Sequence, residues 1–262
     1  MSEALRYEIV RLRTLRSSYW LFASGLALSA LASLLFAYGS RTLPLSAEIV
    51  ADVATAGGAS LPIPLLAAFV AAIGILATGH DYRYGTIQPT LTAMPQRTPL
   101  LFAKVLVVGA TAVVAAIASL ALNLVAGILV WHRFPDLSEP PLGQILIGYV
   151  LLTLLWSVLG VALGQLFRGV PGPLVVILAV PMLVEQVILR LQFVPSFHWV
   201  APYARFLPFT AGMQLVTFAG EASGGSATEL TMLARWPSAA VFAAFTAFAL
   251  LTALIMFNRR DA

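Results

Sequence analysis

One lysine, three separated histidines and no cysteine bound the chemistry open to this 262-residue sequence. A loop that cradles nucleotide phosphates has the form GxxxxGK[ST], with glycine before its lysine so that backbone N–H groups converge on the phosphate. Lys104 follows Ala103 instead, so the sequence contains no such loop. His80, His132 and His198 lie far apart, and neither HExxH nor GxSxG occurs. Nothing therefore singles out a zinc centre, an activated serine or an intramembrane enzyme. The lack of cysteine excludes disulfides and thiolate metal sites. Nor is there a nucleic-acid signature, because the basic residues sit beside apolar segments, where they act as topology signals.

Two polar side chains inside apolar segments are candidates for a substrate path, Asn123 and Glu185. An ionisable residue near the bilayer centre costs about 2.5 to 3.5 kcal/mol and so needs a reason to be there. Glu185, in VPMLVEQVILRLQF, lies roughly 18 Å into a hydrocarbon core of about 30 Å, counting from Pro173. It suits a group that lines a path or carries a proton. It also suits a structural group that snorkels outward or pairs with Arg205, and the structural reading is preferred. Asn123 and Gln165 read first as interhelical hydrogen-bonding groups. Gly160 and Gly164, in GVALG, have the spacing that permits close helix packing.

The elements that must position these residues follow from composition. The chain is 60% hydrophobic and only 10% charged, with a mean hydropathy of +0.92. A soluble domain carries about 25% charged residues, so the expected fold class is an all-α polytopic membrane protein, a single domain over residues 1–262. Six segments have the roughly 20 apolar residues that a span needs: about 19–38, 61–78, 100–130, 142–167, 173–191 and 239–257. The first is too long for the apolar region of a signal peptide and is read as a retained span. An even number of spans puts both termini on one side. That side collects Arg6, Arg11, Arg13, Arg16, Arg83, Arg97, Lys104, Arg168, Arg259 and Arg260, whereas the other flanks carry a net excess of acids. The positive-inside rule makes the termini cytosolic.

Ahead of the first span, residues 1–18 place Leu5, Ile9 and Leu12 at helical spacing. The segment is read as an interfacial amphipathic helix whose arginines, Arg6, Arg11, Arg13 and Arg16, lie near anionic headgroups. Residues 39–60 and 131–141 read as ordinary polar loops. The outer connection 192–238 mixes short apolar pieces with Pro195, Pro202 and Pro208, which suits helices tucked against the outer face or re-entering the membrane. Residues 220–226 have flexible linker composition. No inverted repeat of the kind found in many secondary transporters is visible.

The stretch GHDYRYGTIQPTLTAMPQRTPLLFAK, residues 79–104, interrupts this apolar pattern. Thr86 is a potential N-cap, Pro89 is tolerated in a first turn, and Pro95 stops the helix at Met94. Ile87, Leu91 and Met94 then form an apolar stripe. Nucleation outweighs the hydrogen bonds of so short a helix, so the stripe must lie on this protein's own helices, on lipid, or on a second protein.

The same residues carry a family resemblance. DYRYGTIQPTLTAMPQRTPLLFAK resembles the cytosolic loop of the permease subunits of bacterial type-2 ATP-binding-cassette exporters. Asp81, Arg83, Gly85, Thr86, Leu91, Pro95, Arg97 and Lys104 occupy the matching positions, with Asp81 where glutamate is usual. The layout of six spans, a basic leading helix and a broken last outer loop containing RFLPFTAGMQL is similar as well. The resemblance implies that residues 79–99 hold a coupling helix seated on a separate ATPase subunit, with Asp81 and Arg83 either pairing with that subunit or clamping the loop to the amphipathic helix. It implies two ATPase subunits that bind ATP and Mg2+, and a second permease subunit, identical or related. It also implies a plasma-membrane location and outward movement of an amphipathic or hydrophobic substrate, with no cofactor and no catalysis in this chain. The alternative is a gradient-driven carrier using Glu185.

Overall fold

Six helices are long and apolar enough to cross a membrane: Arg16–Gly39, Leu65–Arg83, Arg97–Trp131, Leu142–Phe167, Pro171–Leu191 and Arg235–Arg259. They belong to a computed structural model that describes residues 2–58, 60–93, 96–191, 193–218 and 232–259. Met94, Pro95 and the 220–226 linker lie outside the described residues. In chain order the helices are α1 (Ser2–Thr14), α2 (Arg16–Gly39), α3 (Ala47–Ala54), α4 (Leu65–Arg83), α5 (Ile87–Ala93), α6 (Arg97–Trp131) and α7 (Leu142–Phe167). The fifth span is α8 (Pro171–Ala179), a π turn (Val180–Val184) and α9 (Glu185–Leu191); α10 (Ala201–Ala204), α11 (Pro208–Met213) and α12 (Arg235–Arg259) follow. The chain is thus a multi-pass membrane protein with no strand among the described residues.

The centre is α4 against α7, each 61% buried, whereas the fifth span is only 17% buried. Small residues explain the closeness. A Cβ added at Gly160 would collide with the Ala71 carbonyl, and one at Gly164 would collide with the Thr78 hydroxyl. Around this seam Leu66, Val70, Tyr149, Trp156, Phe209 and Phe242 fill the main apolar core.

One connection differs from the sequence expectation, and another carries the short helices expected of it. Residues 39–60 are not an ordinary polar loop: Ser46 accepts a hydrogen bond from Ile49 N and starts α3. The stripe Val50, Val53 and Ala54 is then buried with Trp131, Leu142 and Ile145 nearby. In the 192–218 part of the last connection, Pro208 opens α11, whose Phe209 and Ala211 are buried. This helix is part of the core.

Gly85 ends α4 at φ +66, a left-handed conformation that glycine adopts without strain. The chain reverses there and enters α5. The apolar side of α5 turns inward: Ile87 is buried with Leu100, Leu101, Val161 and Phe257, and Leu91 packs at the edge of the same cluster. The described part of the stripe, Ile87 and Leu91, therefore lies on this protein's own helices. The outward face of the turn and helix consists of Arg83, Tyr84, Gln88, Pro89 and Thr92.

Candidate functional site

Four charged side chains meet where α1, α4 and α6 converge, beside the turn into α5. Lys104 lies two turns into α6, and Asp81 is one turn from the end of α4. Glu8 and Arg11 come from one face of α1, three residues apart. The Lys104 ammonium lies 2.6 Å from Glu8 Oε1 and 2.8 Å from Asp81 Oδ2, and donates to the Ala77 carbonyl at 2.9 Å. Arg11 Nη2 is 2.8 Å from Asp81 Oδ1, and Arg11 Nη1 donates to the same Ala77 carbonyl at 2.8 Å. The Thr86 hydroxyl donates to Asp81 Oδ1 at 3.2 Å. Two carboxylates and two cations balance, and the Lys104, Glu8 and Asp81 side chains are at most 3% exposed.

Ion pairs at this depth differ from surface pairs. Separating a buried pair strands a charge in low dielectric at a cost of about 3 to 5 kcal/mol. The cluster therefore acts as a fixed joint: Asp81 ties α1 and α6 to the end of α4, and through Thr86 to the start of α5. Thr86 stands just before α5, and its side chain is used for this tie; its carbonyl accepts from Thr90 N at 3.2 Å.

Arg11 departs from the expectation that all the leading arginines face headgroups. It turns inward because Asp81 and Ala77 O offer it a complete set of acceptors, while Arg6, Arg13 and Arg16 stay exposed. Arg97 donates to the Phe257 carbonyl at 2.8 Å and so joins the start of α6 to the end of α12. Arg83 is exposed, with its guanidinium 5.8 Å from the Tyr84 ring. Sequence reading passed over Glu8 as a partner and used Lys104 to exclude a phosphate loop, to set the topology and to match the family loop, but not as one member of an ion pair. The Glu8–Arg11 spacing and a solitary lysine early in an apolar helix were the available signals.

On the far side, opposite the termini, Glu185 has a defined role. Pro181 has no N–H to donate to the helical ladder, and the helix widens there into the π turn. Glu185 then faces inward at 2% exposure, while Met182, Leu183, Val184 and Val187 remain exposed. Its Oε1 accepts from Phe209 N at 2.9 Å, and its Oε2 accepts from Thr210 N at 2.6 Å and from the Thr210 hydroxyl at 2.7 Å. The partner of Glu185 is thus the first turn of α11, whereas Arg205 has its guanidinium 5.0 Å from the Phe206 ring. Beside the carboxylate is a cavity of about 660 Å³, whose polar lining includes Gln186, Arg190, Gln214 and Thr217.

Asn123 is fully buried between α2, α3 and α6. Its side-chain amide donates to the Ala54 carbonyl at 2.9 Å and to the Ser29 hydroxyl at 3.1 Å, and its backbone carbonyl accepts from the Ser33 hydroxyl at 3.1 Å. Ser119 extends the network to the Tyr149 hydroxyl at 3.2 Å. Gln165 donates to Tyr82 and so bridges α7 and α4. Both amides make interhelical hydrogen bonds. Among the described residues no group of three or more His, Asp or Glu side chains is arranged to hold a metal ion. No protein-family model matches the chain, and no curated protein matches it.

Proposed function

We propose that this chain is the membrane-spanning permease subunit of an ATP-driven exporter of the type-2 ATP-binding-cassette class. It moves an amphipathic or hydrophobic substrate outward across a bacterial plasma membrane, with both termini in the cytosol. The observation that carries the reading is α5. It is a seven-residue helix between the second and third spans, anchored inward by Ile87 and Leu91 and joined through Thr86 to the four-charge cluster. Its outward face, Tyr84, Gln88, Pro89 and Thr92, is left uncovered. The resemblance of residues 81–104 to the coupling loops of that class points the same way, and with no phosphate loop in this sequence the reading puts ATP and Mg2+ on a separate ATPase subunit. Two ATPase subunits and a second permease, identical or related, complete the proposed assembly.

The buried stripe changes the appropriate test. Asp at Leu91 would damage the chain's own packing, so the docking face is better altered at Gln88→Arg with Thr92→Arg, both exposed. Membranes bearing the intact chain should yield a co-purifying nucleotide-binding ATPase, and the double variant should lose it while keeping its thermal stability. Retention of both the complex and ATP-driven transport in the double variant would exclude α5 as the docking element.

A gradient-driven carrier using Glu185 is the second reading, favoured by the cavity beside that residue. Both Glu185 oxygens already accept hydrogen bonds from α11, which counts against a proton carrier. Transport that continues without ATP, collapses with the proton gradient and is lost in Glu185→Gln would establish it instead.

A further inference from the structure

The inward face of α1 is committed to Glu8 and Arg11, so its apolar residues do not close against α6. A groove of about 430 Å³ remains in the corner between the two helices, lined on the α1 side by Leu5, Ile9 and Leu12. On the α6 side Leu106, Ala110 and Val114 follow at i, i+4 and i+8, an apolar strip of about 12 Å. Ile9 is 45% exposed and Val114 60% exposed, so both sides of the groove are open to the surroundings of the helices. The groove has one charged lining residue, Arg13. No ion pair engages Arg13 among the described residues, whereas Arg11 is held by Asp81.

The height of Arg13 is set independently. The Tyr19 hydroxyl donates to the Arg13 carbonyl at 3.0 Å, and the next residue, Trp20, is 75% exposed. Tyrosine and tryptophan gather at the boundary between hydrocarbon and headgroups. Arg13 thus stands at phosphate level, with the apolar strip of α6 running below it into the hydrocarbon. Arg6 and Arg16, also exposed, add positive field against one exposed acid, Glu3 in the first turn of α1, while Glu8 is buried against Lys104.

We propose that the α1–α6 corner binds one anionic phospholipid of the surrounding bilayer, an acyl chain in the groove and the headgroup phosphate on Arg13. The site does not rest on the exporter reading; it requires only that α6 spans and α1 lies at the interface. A basic residue near an anionic headgroup is worth about 1 kcal/mol, which converts to about a fivefold preference for an anionic over a zwitterionic lipid.

The test uses the full chain in nanodiscs containing phosphatidylglycerol or phosphatidylcholine, each with the same photoreactive acyl chain, and maps labelled residues by mass spectrometry. Labelling should concentrate on residues 106–114 and be about fivefold stronger with phosphatidylglycerol. Arg13→Gln should bring the two lipids to parity, Ala110→Trp should remove labelling by both, and Arg133→Gln on the far side should leave the pattern intact. Equal labelling of the unaltered chain by both lipids would overturn the proposal. So would a preference that survives Arg13→Gln, or label spread evenly over the exposed flanks of α6 and α12. Because the chain has no cysteine, Ile9→Cys gives a clean check for a protein occupant: an efficient disulfide between two copies in lipid would assign the groove to a second chain instead.

Discussion

Replacing Lys104 by methionine keeps the unbranched side chain to within one atom and removes a cation together with three hydrogen bonds, to Glu8, Asp81 and the Ala77 carbonyl. Two buried carboxylates would then share one cation, Arg11, whose Nη1 is 3.5 Å from Glu8 Oε2. The cluster passes from neutral to a net charge of −1 in a region that is almost fully shielded from solvent. Breaking one side of a buried pair costs about 3 to 5 kcal/mol, and Lys104→Met should fall in that range. Glu8→Gln with Lys104→Met restores neutrality and leaves Asp81 paired with Arg11 at 2.8 Å. The double variant should therefore be more stable than the sum of the single losses by about 2 kcal/mol, within the range of coupling between contacting residues. Reversible denaturant unfolding of the purified chain in mixed micelles, read by helical signal, measures all four corners of the cycle. A loss below about 1 kcal/mol for Lys104→Met, or strictly additive changes, would refute the idea that the cluster is an energetic joint.

Glu185→Ala leaves Phe209 N and Thr210 N without their acceptor, at about 1 to 3 kcal/mol for each stranded donor; limited proteolysis should open the 201–218 segment while the spans stay protected. Gly160→Val meets a backbone carbonyl, Ala71 O, that cannot rotate away. Its cost should be at least about 3 kcal/mol, the upper end for overpacking, as a lower unfolding midpoint in the same micelles. Burial, with the neighbouring Glu48 carboxylate, pushes the Asp52 carboxyl above its ordinary value, against a smaller opposing hydrogen bond from Ser60. The protonated form thus favours the fold, and this contribution is present in acid and lost as pH rises through the folded-state pKa. Asp52→Asn should raise stability at neutral pH, with the gain disappearing below the ordinary carboxylate range.

The spans were legible because length and hydropathy are local properties, and each of the six expected segments lies largely within a helix. Gly160 and Gly164 were legible for the same reason, since small residues at a four-residue spacing share a helix face whatever the partner. The cluster was not legible. Arg11 and Asp81 are separated by 70 residues and Lys104 and Glu8 by 96, and periodicity gives weight to Leu5, Ile9 and Leu12, so Arg11 was grouped with the arginines that face headgroups. Glu185 posed another difficulty: its partners are backbone N–H groups, which nearly every residue has, so no composition pointed to residues 209 and 210. The helix in residues 39–60 was visible in principle, as Val50, Val53 and Ala54 at i, i+3 and i+4, but Ser, Arg and Gly around it gave the segment the composition of a loop.

These joints differ in stiffness, and that constrains how a load on α5 would travel under the proposed function. The end of α4 cannot move away from α1 or α6 without separating buried charges, and α4 cannot slide on α7 without forcing Gly160 against a carbonyl. Arg97 adds α12 to the same block through Phe257 O. A push on Tyr84, Gln88 or Thr92 would thus be shared by four of the spans as one body. The fifth span stands apart: it is the least buried, its hydrogen-bond ladder is interrupted at Pro181, and one carboxylate, Glu185, fastens it to α11. Relative motion belongs at that seam, beside the 660 Å³ cavity. Locking it is the discriminating measurement: a bifunctional thiol crosslinker bridging Gln186→Cys and Gln214→Cys, both lining the cavity, should stop transport while leaving the ATPase bound, whereas undiminished transport through the locked seam would place the moving part elsewhere.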